Sequence, residues 1–169
     1  MHKTICVFGD SITWGVLDEE GGGWVERLKI DRFRRDRVTD VYNLGISANT
    51  SADVKERFFA EAKARKPDIV MFAIGINDAL WFTDEQRHEI SLEEYRENLY
   101  ALLEMAKTFT THVIFVGLTN VDESKTSPVS WRSNVFYKNN DIAKYNAVLR
   151  QFCQGQEVTF VELFGCLNN

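Results

Sequence analysis

The chain has 169 residues, of which 44% are hydrophobic and 27% charged, and its formal net charge is −5. This length and balance are typical of one soluble globular domain with a sizeable core. The negative charge argues against nucleic acid or an anionic membrane as the main partner. Because no apolar run reaches the roughly 18–20 residues of a membrane span and the first strand starts close to Met1, we expect neither a membrane segment nor a signal peptide.

Apolar strand-like runs alternate with amphipathic helical stretches through the whole chain. The runs are rich in Val, Ile and Phe, as expected for strands covered on both faces, and predict strands at residues 4–8, 38–43, 69–74, 112–118 and 158–161. Apolar residues at helical spacing predict helices at residues 24–33, 52–66, 92–106 and 140–155. We therefore predict a single α/β domain over residues 1–169. Its expected fold is a three-layer, flavodoxin-like parallel sheet of five strands in the order 2-1-3-4-5, with helices on both faces.

Two of these helices carry specific boundary signals. Thr50 or Ser51 is a suitable N-cap for the second helix, and Pro67 disfavours helix at the residue before it. The third helix follows the capping box Ser91-Leu92-Glu93-Glu94. Two connections are longer than the fold requires, at residues 78–90 and 119–139. Both follow strands, so we expect them to overhang the carboxyl edge of the sheet, where long loops are often functional.

Polar turns follow the first three strands. The first strand ends in Gly9-Asp10-Ser11, the second leads into a turn with Gly45, and the third leads into Gly75-Ile76-Asn77-Asp78. Ligands bind at the carboxyl edge of such a sheet, and these three strands are neighbours in the predicted order. Ser11 is therefore a candidate nucleophile. The backbone N–H groups of Ser11 and Gly45 and the side-chain amide of Asn77 are candidate donors to an oxyanion.

These three motifs, in this order and spacing, resemble those of the SGNH hydrolases, also called the GDSL esterase/lipase family. The resemblance covers nearly the whole chain and implies the fold derived above. It also implies that Ser11 is the nucleophile and that Gly45 and Asn77 complete the oxyanion hole. The implied activity is hydrolysis of small or medium carboxylic esters through an acyl-enzyme on Ser11, with no cofactor.

The sequence departs from the family pattern in its base. SGNH hydrolases carry an Asp-x-x-His after the fifth strand, and no Asp-x-x-His occurs in this chain. His2 and His112 belong to the opposite edge of the sheet, since a strand of about six residues is roughly 20 Å long. His88 lies in the long loop after Asn77, on the correct side, but beside a charged run that favours solvent exposure.

Two explanations of the missing base stay open. The chain is either a fragment whose tail carried the base, which we favour, or a natural protein that lost it. The absence of a predicted final helix supports truncation, because Phe160, Leu163, Phe164 and Leu167 then have no obvious cover. In both cases we expect this chain to be inactive or impaired as a hydrolase.

Two other functions compete with the esterase. The first is a non-catalytic module that uses the oxyanion pocket to bind a carboxylate or an acetyl group. The second is a flavodoxin-like ligand-binding domain, although the first turn lacks the Ser/Thr/Gly-rich loop that phosphate binding requires. No metal-ligand spacing and no dinucleotide or P-loop glycine pattern is present in the sequence. The expected partner is a small-molecule ester, and the sequence does not determine the oligomeric state.

Cysteine usage suggests a reducing compartment. Cys6 lies in a predicted strand and Cys153 in a predicted helix, and neither forms a C-x-x-C pair with Cys166 or with the other. We therefore interpret Cys6 and Cys153 as buried free thiols. Free thiols and the lack of a signal peptide together predict a cytoplasmic protein.

Overall fold

The computed structural model describes residues 2–166, and its centre is a five-stranded parallel sheet. Within those residues the elements follow one another as β1 (Lys3–Gly9), α1 (Ser11–Trp14), α2 (Trp24–Arg35), β2 (Thr39–Gly45), α3 (Ser51–Arg65), β3 (Ile69–Ala73), β4 (Trp81–Phe82), β5 (Arg87–His88), α4 (Leu92–Lys107), β6 (Val113–Val116), α5 (Glu123–Thr126), β7 (Val135–Phe136), α6 (Asn139–Gly155) and β8 (Thr159–Val161). The sheet order is β2-β1-β3-β6-β8. Counting only the five strands of this sheet along the chain, it is the predicted order 2-1-3-4-5. The predicted fold class is confirmed.

The predicted helix signals act as expected. The hydroxyl oxygen of Thr50 accepts a hydrogen bond from Asp53 N, and the Asp53 carboxylate accepts one from Thr50 N, so both residues cap α3. Ser91 caps α4 by accepting from Glu94 N at 3.1 Å, and the reciprocal bond from Ser91 N to the Glu94 carboxylate, which the predicted capping box includes, is not present in the described chain. At its other end α3 stops at Lys66, which takes the left-handed conformation before Pro67. Short polar side chains therefore set the ends of the helices that pack on the sheet.

Alternation within the strands divides the interior into two cores. In β1, Phe8 faces the larger core under α3, α4 and α6, while Val7 faces the smaller core under α2. Phe rings from β1, α3, β3 and β6 form the centre of the larger core, and all of them are fully buried: Phe8, Phe58, Phe72 and Phe115. The larger core packs the helix layer of α3, α4 and α6 against one face of the sheet. The carboxyl ends of the strands lie at the edge of this core.

Four apolar residues in and after the fifth strand were expected to lack cover, and this expectation is wrong for two of them. Phe160 and Phe164 are partly buried and pack against the larger core, because alternation in β8 turns Phe160 toward α6. Leu163 lies beside the turn that carries Ser11, and Leu167 lies outside the described residues. Cys6 and Cys153 are buried free thiols as predicted, and Cys166 is exposed.

The two long connections form a second sheet, which the sequence analysis did not predict. Strand β4 of the first connection pairs in antiparallel fashion with β5 and with β7 of the second connection, which places Trp81 opposite both His88 and Phe136. Phe82, Val129 and Val135 form a small apolar cluster beneath this small sheet. The pairing fixes the two connections to each other above the carboxyl edge. Among residues 2–166, no helix is long and apolar enough to cross a membrane.

Candidate active site

Ser11 is the first residue of the short helix α1, directly after β1. The buried side chain of Asp10 caps this helix by accepting from Ile12 N at 2.9 Å. Burial raises the pKa of the Asp10 carboxyl to about 6. Ser11 itself is partly exposed, and neither its hydroxyl nor its N–H makes a hydrogen bond within residues 2–166. The turn thus presents an unengaged hydroxyl and an unengaged backbone donor side by side.

Gly45 ends β2 beside this turn. Its N–H donates to Asn43 Oδ1 at 3.1 Å, so the predicted oxyanion donor is engaged by a side chain in this structure. A β-carbon at Gly45 would lie 2.3 Å from Trp14 N and 2.8 Å from Asp10 O. Glycine is therefore required at this position because β2 and α1 approach each other closely. Its role as an oxyanion donor stays a prediction.

Replacing Gly45 by alanine is expected to destabilise the fold and displace Ser11. The added methyl group overlaps the backbone of α1, and overpacking of this kind costs about 1–3 kcal/mol. Urea unfolding measures the loss directly. Alanine at Gly155, where a β-carbon meets nothing within 4 Å, is the matched control and should leave the free energy of unfolding nearly unchanged. Equal stability of the two variants would contradict the packing argument.

The loop after β2 contains a backbone N–H without a partner in residues 2–166, which the sequence analysis missed. Ala48 has a φ of 65°, in the left-handed region that favours glycine. Its N–H makes no hydrogen bond to any residue of the described chain. A non-glycine residue in this conformation cannot be identified from the sequence alone.

Asn77 lies at the end of the turn after β3 and is only 6% exposed. Its side-chain nitrogen donates to Asn49 O at 2.9 Å, and its Oδ1 accepts from the Tyr137 hydroxyl at 2.6 Å. An amide nitrogen carries two hydrogens, so one donor of Asn77 is left for a ligand. The side chain is therefore held from both sides with a single N–H to spare.

Arg57 of α3 joins the strand ends beneath these turns. Its guanidinium donates to Gly9 O at 3.1 Å, to Leu44 O at 2.9 Å and to Asn49 Oδ1 at 2.8 Å. Because Asn49 in turn accepts from Asn77, the ends of β1, β2 and β3 are joined in one network. The structure thus brings the three predicted motifs to one edge, and the guanidinium that joins them was not predicted.

Asp78 is fully buried next to this network. Its carboxylate accepts hydrogen bonds from Ser51 N, at 3.0 and 3.1 Å, and from the Ser51 hydroxyl. The Ser51 hydroxyl also accepts from Asn98, which itself accepts from Lys55. Burial raises the pKa of Asp78 to about 7, and the nearby carboxylate of Asp10 adds to the effect.

Stability is expected to fall as the pH rises from about 4 to about 7. In the folded chain Asp78 and Asp10 keep their protons up to pH values of about 7 and 6, whereas in the unfolded chain both lose them near 3.8. The folded state binds more protons in this window, so the free energy of unfolding decreases by at most about 1.4 kcal/mol per pH unit for each group. Urea unfolding at several pH values measures the slope. Asp78→Asn should remove the part of the slope that is due to Asp78, most clearly between about pH 6 and 7, where Asp10 has already lost its proton. An unchanged slope in that variant would contradict the assignment.

The three histidines lie away from Ser11 or are engaged elsewhere. His2 pairs with Asp40 at 2.8 Å before β1, and His112 precedes β6, both at the opposite edge as expected. His88 lies in β5, with Nδ1 at 3.2 Å from Ala79 O and Nε2 at 4.0 Å from Asp141. Its ring also contacts Tyr145 edge-on. His88 is thus held between the small sheet and α6. The expectation that it is exposed to solvent is wrong.

A cavity of about 360 Å³ adjoins the Ser11 turn. Asp10, Ile12 and Thr13 line it on the side of this turn, and Ser11 is not among its lining residues. The rest of the lining is mostly apolar and comes from α2, from β3, β6 and β8 and from the turns after these strands, including Met71, Ala73, Val116, Leu118, Val161 and Leu163. The cavity next to the turn is therefore suited to an apolar group.

The chain is similar to several known proteins. The profile of the GDSL-like lipase/acylhydrolase family matches residues 7–169. Curated relatives include the uncharacterised protein YpmR of Bacillus subtilis (strain 168), 32% identical over 103 residues, which are 57% of this chain and 40% of that protein. An acetylxylan esterase of Geobacillus stearothermophilus is 27% identical over 132 residues, covering 76% of this chain and 56% of the relative.

The solved structures agree with this likeness. The crystal structure of the lipase/acylhydrolase from Enterococcus faecalis has a TM-score of 0.76 and 25% identity, over 97% of this chain and 77% of that one. The chain spans about half the length of the curated relatives it matches. Since the profile match covers nearly the whole sequence, the chain belongs to the GDSL-like lipase/acylhydrolase family.

Proposed function

We propose that the protein is a hydrolase of small or medium carboxylic esters, with Ser11 as the nucleophile. The observation that carries the proposal is the turn after β1, where an unengaged serine hydroxyl lies beside an unengaged N–H, and the network of Arg57 joins the strand end before this turn to the amide of Asn77. Acyl transfer needs this combination, because negative charge develops on the carbonyl oxygen as the nucleophile attacks.

The proposed reaction has two stages. Ser11 Oγ bonds to the carbonyl carbon and gives its proton to solvent water as the carbonyl oxygen becomes an oxyanion. The N–H of Ser11 and the amide of Asn77 stabilise it, with a third donor from the loop after β2. That donor is either Ala48, whose N–H makes no hydrogen bond within residues 2–166, or Gly45, which must first release Asn43. Collapse breaks the bond to the alcohol oxygen, which takes a proton from solvent. Water then hydrolyses the acyl-enzyme and restores the Ser11 hydroxyl.

The proposed substrate follows from the cavity and from the relatives. Its apolar wall suits the carbon chain or ring of a small or medium acyl or aryl group. One relative is named an acetylxylan esterase, so acetyl esters are the first to test. p-Nitrophenyl acetate and butyrate compare an acetyl with a longer acyl group on the same leaving group.

No histidine of residues 2–166 is hydrogen-bonded to Ser11. His88, on the correct side, has one nitrogen at a carbonyl and the other facing a carboxylate. We therefore expect slow turnover, which activated esters will show best because their leaving groups need no proton. The same observation favours a second candidate, a binding module that holds a carboxylate or an acetyl group in the oxyanion pocket.

A fluorophosphonate probe tests the proposal, with the labelled residue identified by mass spectrometry. The expected adduct is on Ser11, formed slowly and at one site. Labelling that persists in Ser11→Ala would contradict the esterase. Acetate binding that shifts the Asn77 amide signals in NMR spectra, with no labelling and no ester turnover, would support the binding module instead.

A further inference from the structure

Tyr137 belongs to the second long connection and directly follows β7. Its main chain is fixed on both sides: its N–H donates to Thr126 O at 2.9 Å, and its carbonyl accepts from Ser127 Oγ at 2.7 Å and from the Thr126 hydroxyl. Pairing of β7 with β4 holds this segment over the carboxyl edge. The backbone of Tyr137 therefore has a defined position relative to the turn after β3.

The hydroxyl of Tyr137 donates to Asn77 Oδ1 at 2.6 Å, its one hydrogen bond within the described residues. The ring is partly buried against the larger core and the cluster beneath the small sheet. Burial and the negative charges of Asp10 and Glu89 raise the pKa of Tyr137 to about 12, so the phenol stays a donor at any pH of interest.

Two contacts together define the plane of the Asn77 amide. Tyr137 donates to its oxygen, and Asn49 O accepts one of its two nitrogen hydrogens. A 180° flip of the amide would bring its oxygen against the Asn49 carbonyl, so Asn49 selects the orientation of the amide and Tyr137 holds its other end. Since Asn49 alone constrains only the nitrogen, the tyrosine supplies the second point that fixes where the remaining N–H points.

We propose that Tyr137 is a positioning residue, which orients the Asn77 amide for the oxyanion from the second long connection. The inference rests on the proposed function, because it assigns Tyr137 a role in the same oxyanion site. It also gives the small sheet a role, because the β4–β7 pairing carries the hydroxyl of Tyr137 to a side chain 60 residues earlier in the chain. Preorganised donors are effective because they need no reorientation as the charge develops.

Affinity for phenylboronic acid tests the role without depending on a base. Ser11 Oγ forms a bond to boron, its proton goes to solvent, and the boron becomes a tetrahedral anion whose oxygen occupies the oxyanion position. Tyr137→Phe should weaken this affinity about tenfold, the effect of one lost hydrogen bond. Tyr145→Phe is the matched control, since it removes a buried hydroxyl that donates to Ile90 O, and should change the affinity less than about twofold.

A double-mutant cycle separates positioning from a general loss of structure. In the Asn77→Ala background, Tyr137→Phe should have no further effect on boronate affinity, because the group it positions is gone. An unchanged affinity in Tyr137→Phe, or an equal loss with and without Asn77, overturns the positioning role while Ser11-dependent binding still supports the esterase. Boronate affinity that survives Ser11→Ala overturns the proposed function itself.

Discussion

Replacing Ser11 by alanine is expected to abolish covalent labelling by fluorophosphonates, a fall of at least about a hundredfold, while the chain stays folded. The hydroxyl is the one group at the turn that can bond to phosphorus or to an ester carbonyl in the proposed reaction. Because it makes no hydrogen bond within residues 2–166, its removal should change the free energy of unfolding by less than about 0.5 kcal/mol. Intact-mass spectrometry and urea unfolding measure the two quantities on the same samples.

Ser47→Ala provides the matched control. Ser47 is an exposed serine in the neighbouring loop after β2, so it has similar access to the probe but no place in the proposed reaction. Its variant should be labelled at the wild-type rate. Labelling that moves to another residue in Ser11→Ala, or that is lost equally in both variants, would show that the turn after β1 does not carry the nucleophile.

The five-stranded sheet was predictable because each of its strands is a short apolar run that fits a buried strand. Every predicted helix, and every predicted strand of this sheet, is confirmed within two residues at its ends. The small sheet could not be predicted, since strands of two residues such as β4 and β7 show no alternation. Their pairing depends on how two distant connections meet, and this information is not local.

Some residues of the candidate site could be predicted from the sequence and others could not. Ser11 and Asn77 could be identified because each lies in the turn that follows a strand, and these strand ends meet at one edge. Arg57 and Tyr137 could not, because they reach the site from a helix face and from a loop, across 48 and 60 residues respectively. Their sequence surroundings are those of ordinary surface residues.

The donors of the candidate site are firmly organised without a ligand. Arg57 bonds to the carbonyls that end β1 and β2, and through Asn49 it reaches Asn77. Tyr137 reaches Asn77 from the opposite side. The proposed amide donor of Asn77 is thus held in place by the fold itself, which is the condition under which such a donor contributes most to the rate.

Removing Asn77 should therefore cost far more than removing either of its supports. Asn77→Ala is expected to lower kcat for p-nitrophenyl acetate by about 10²–10³-fold with little change in KM, because the lost N–H acts mainly on the charge of the transition state. Tyr137→Phe leaves that N–H present but less well oriented, so its expected effect is smaller, about tenfold. Steady-state kinetics on both variants measures the ratio.

The substitution also breaks the bonds to Asn49 and Tyr137, so stability must be measured alongside the rate. Loss of the buried amide should lower the free energy of unfolding by about 1–3 kcal/mol. Asn134→Ala, which removes an amide bonded to Asp84 in the second long connection, is the control and should leave kcat unchanged. A kcat that falls equally in both variants, or a KM that rises while kcat is kept, would mean that Asn77 binds the ground state or supports the fold and does not stabilise an oxyanion.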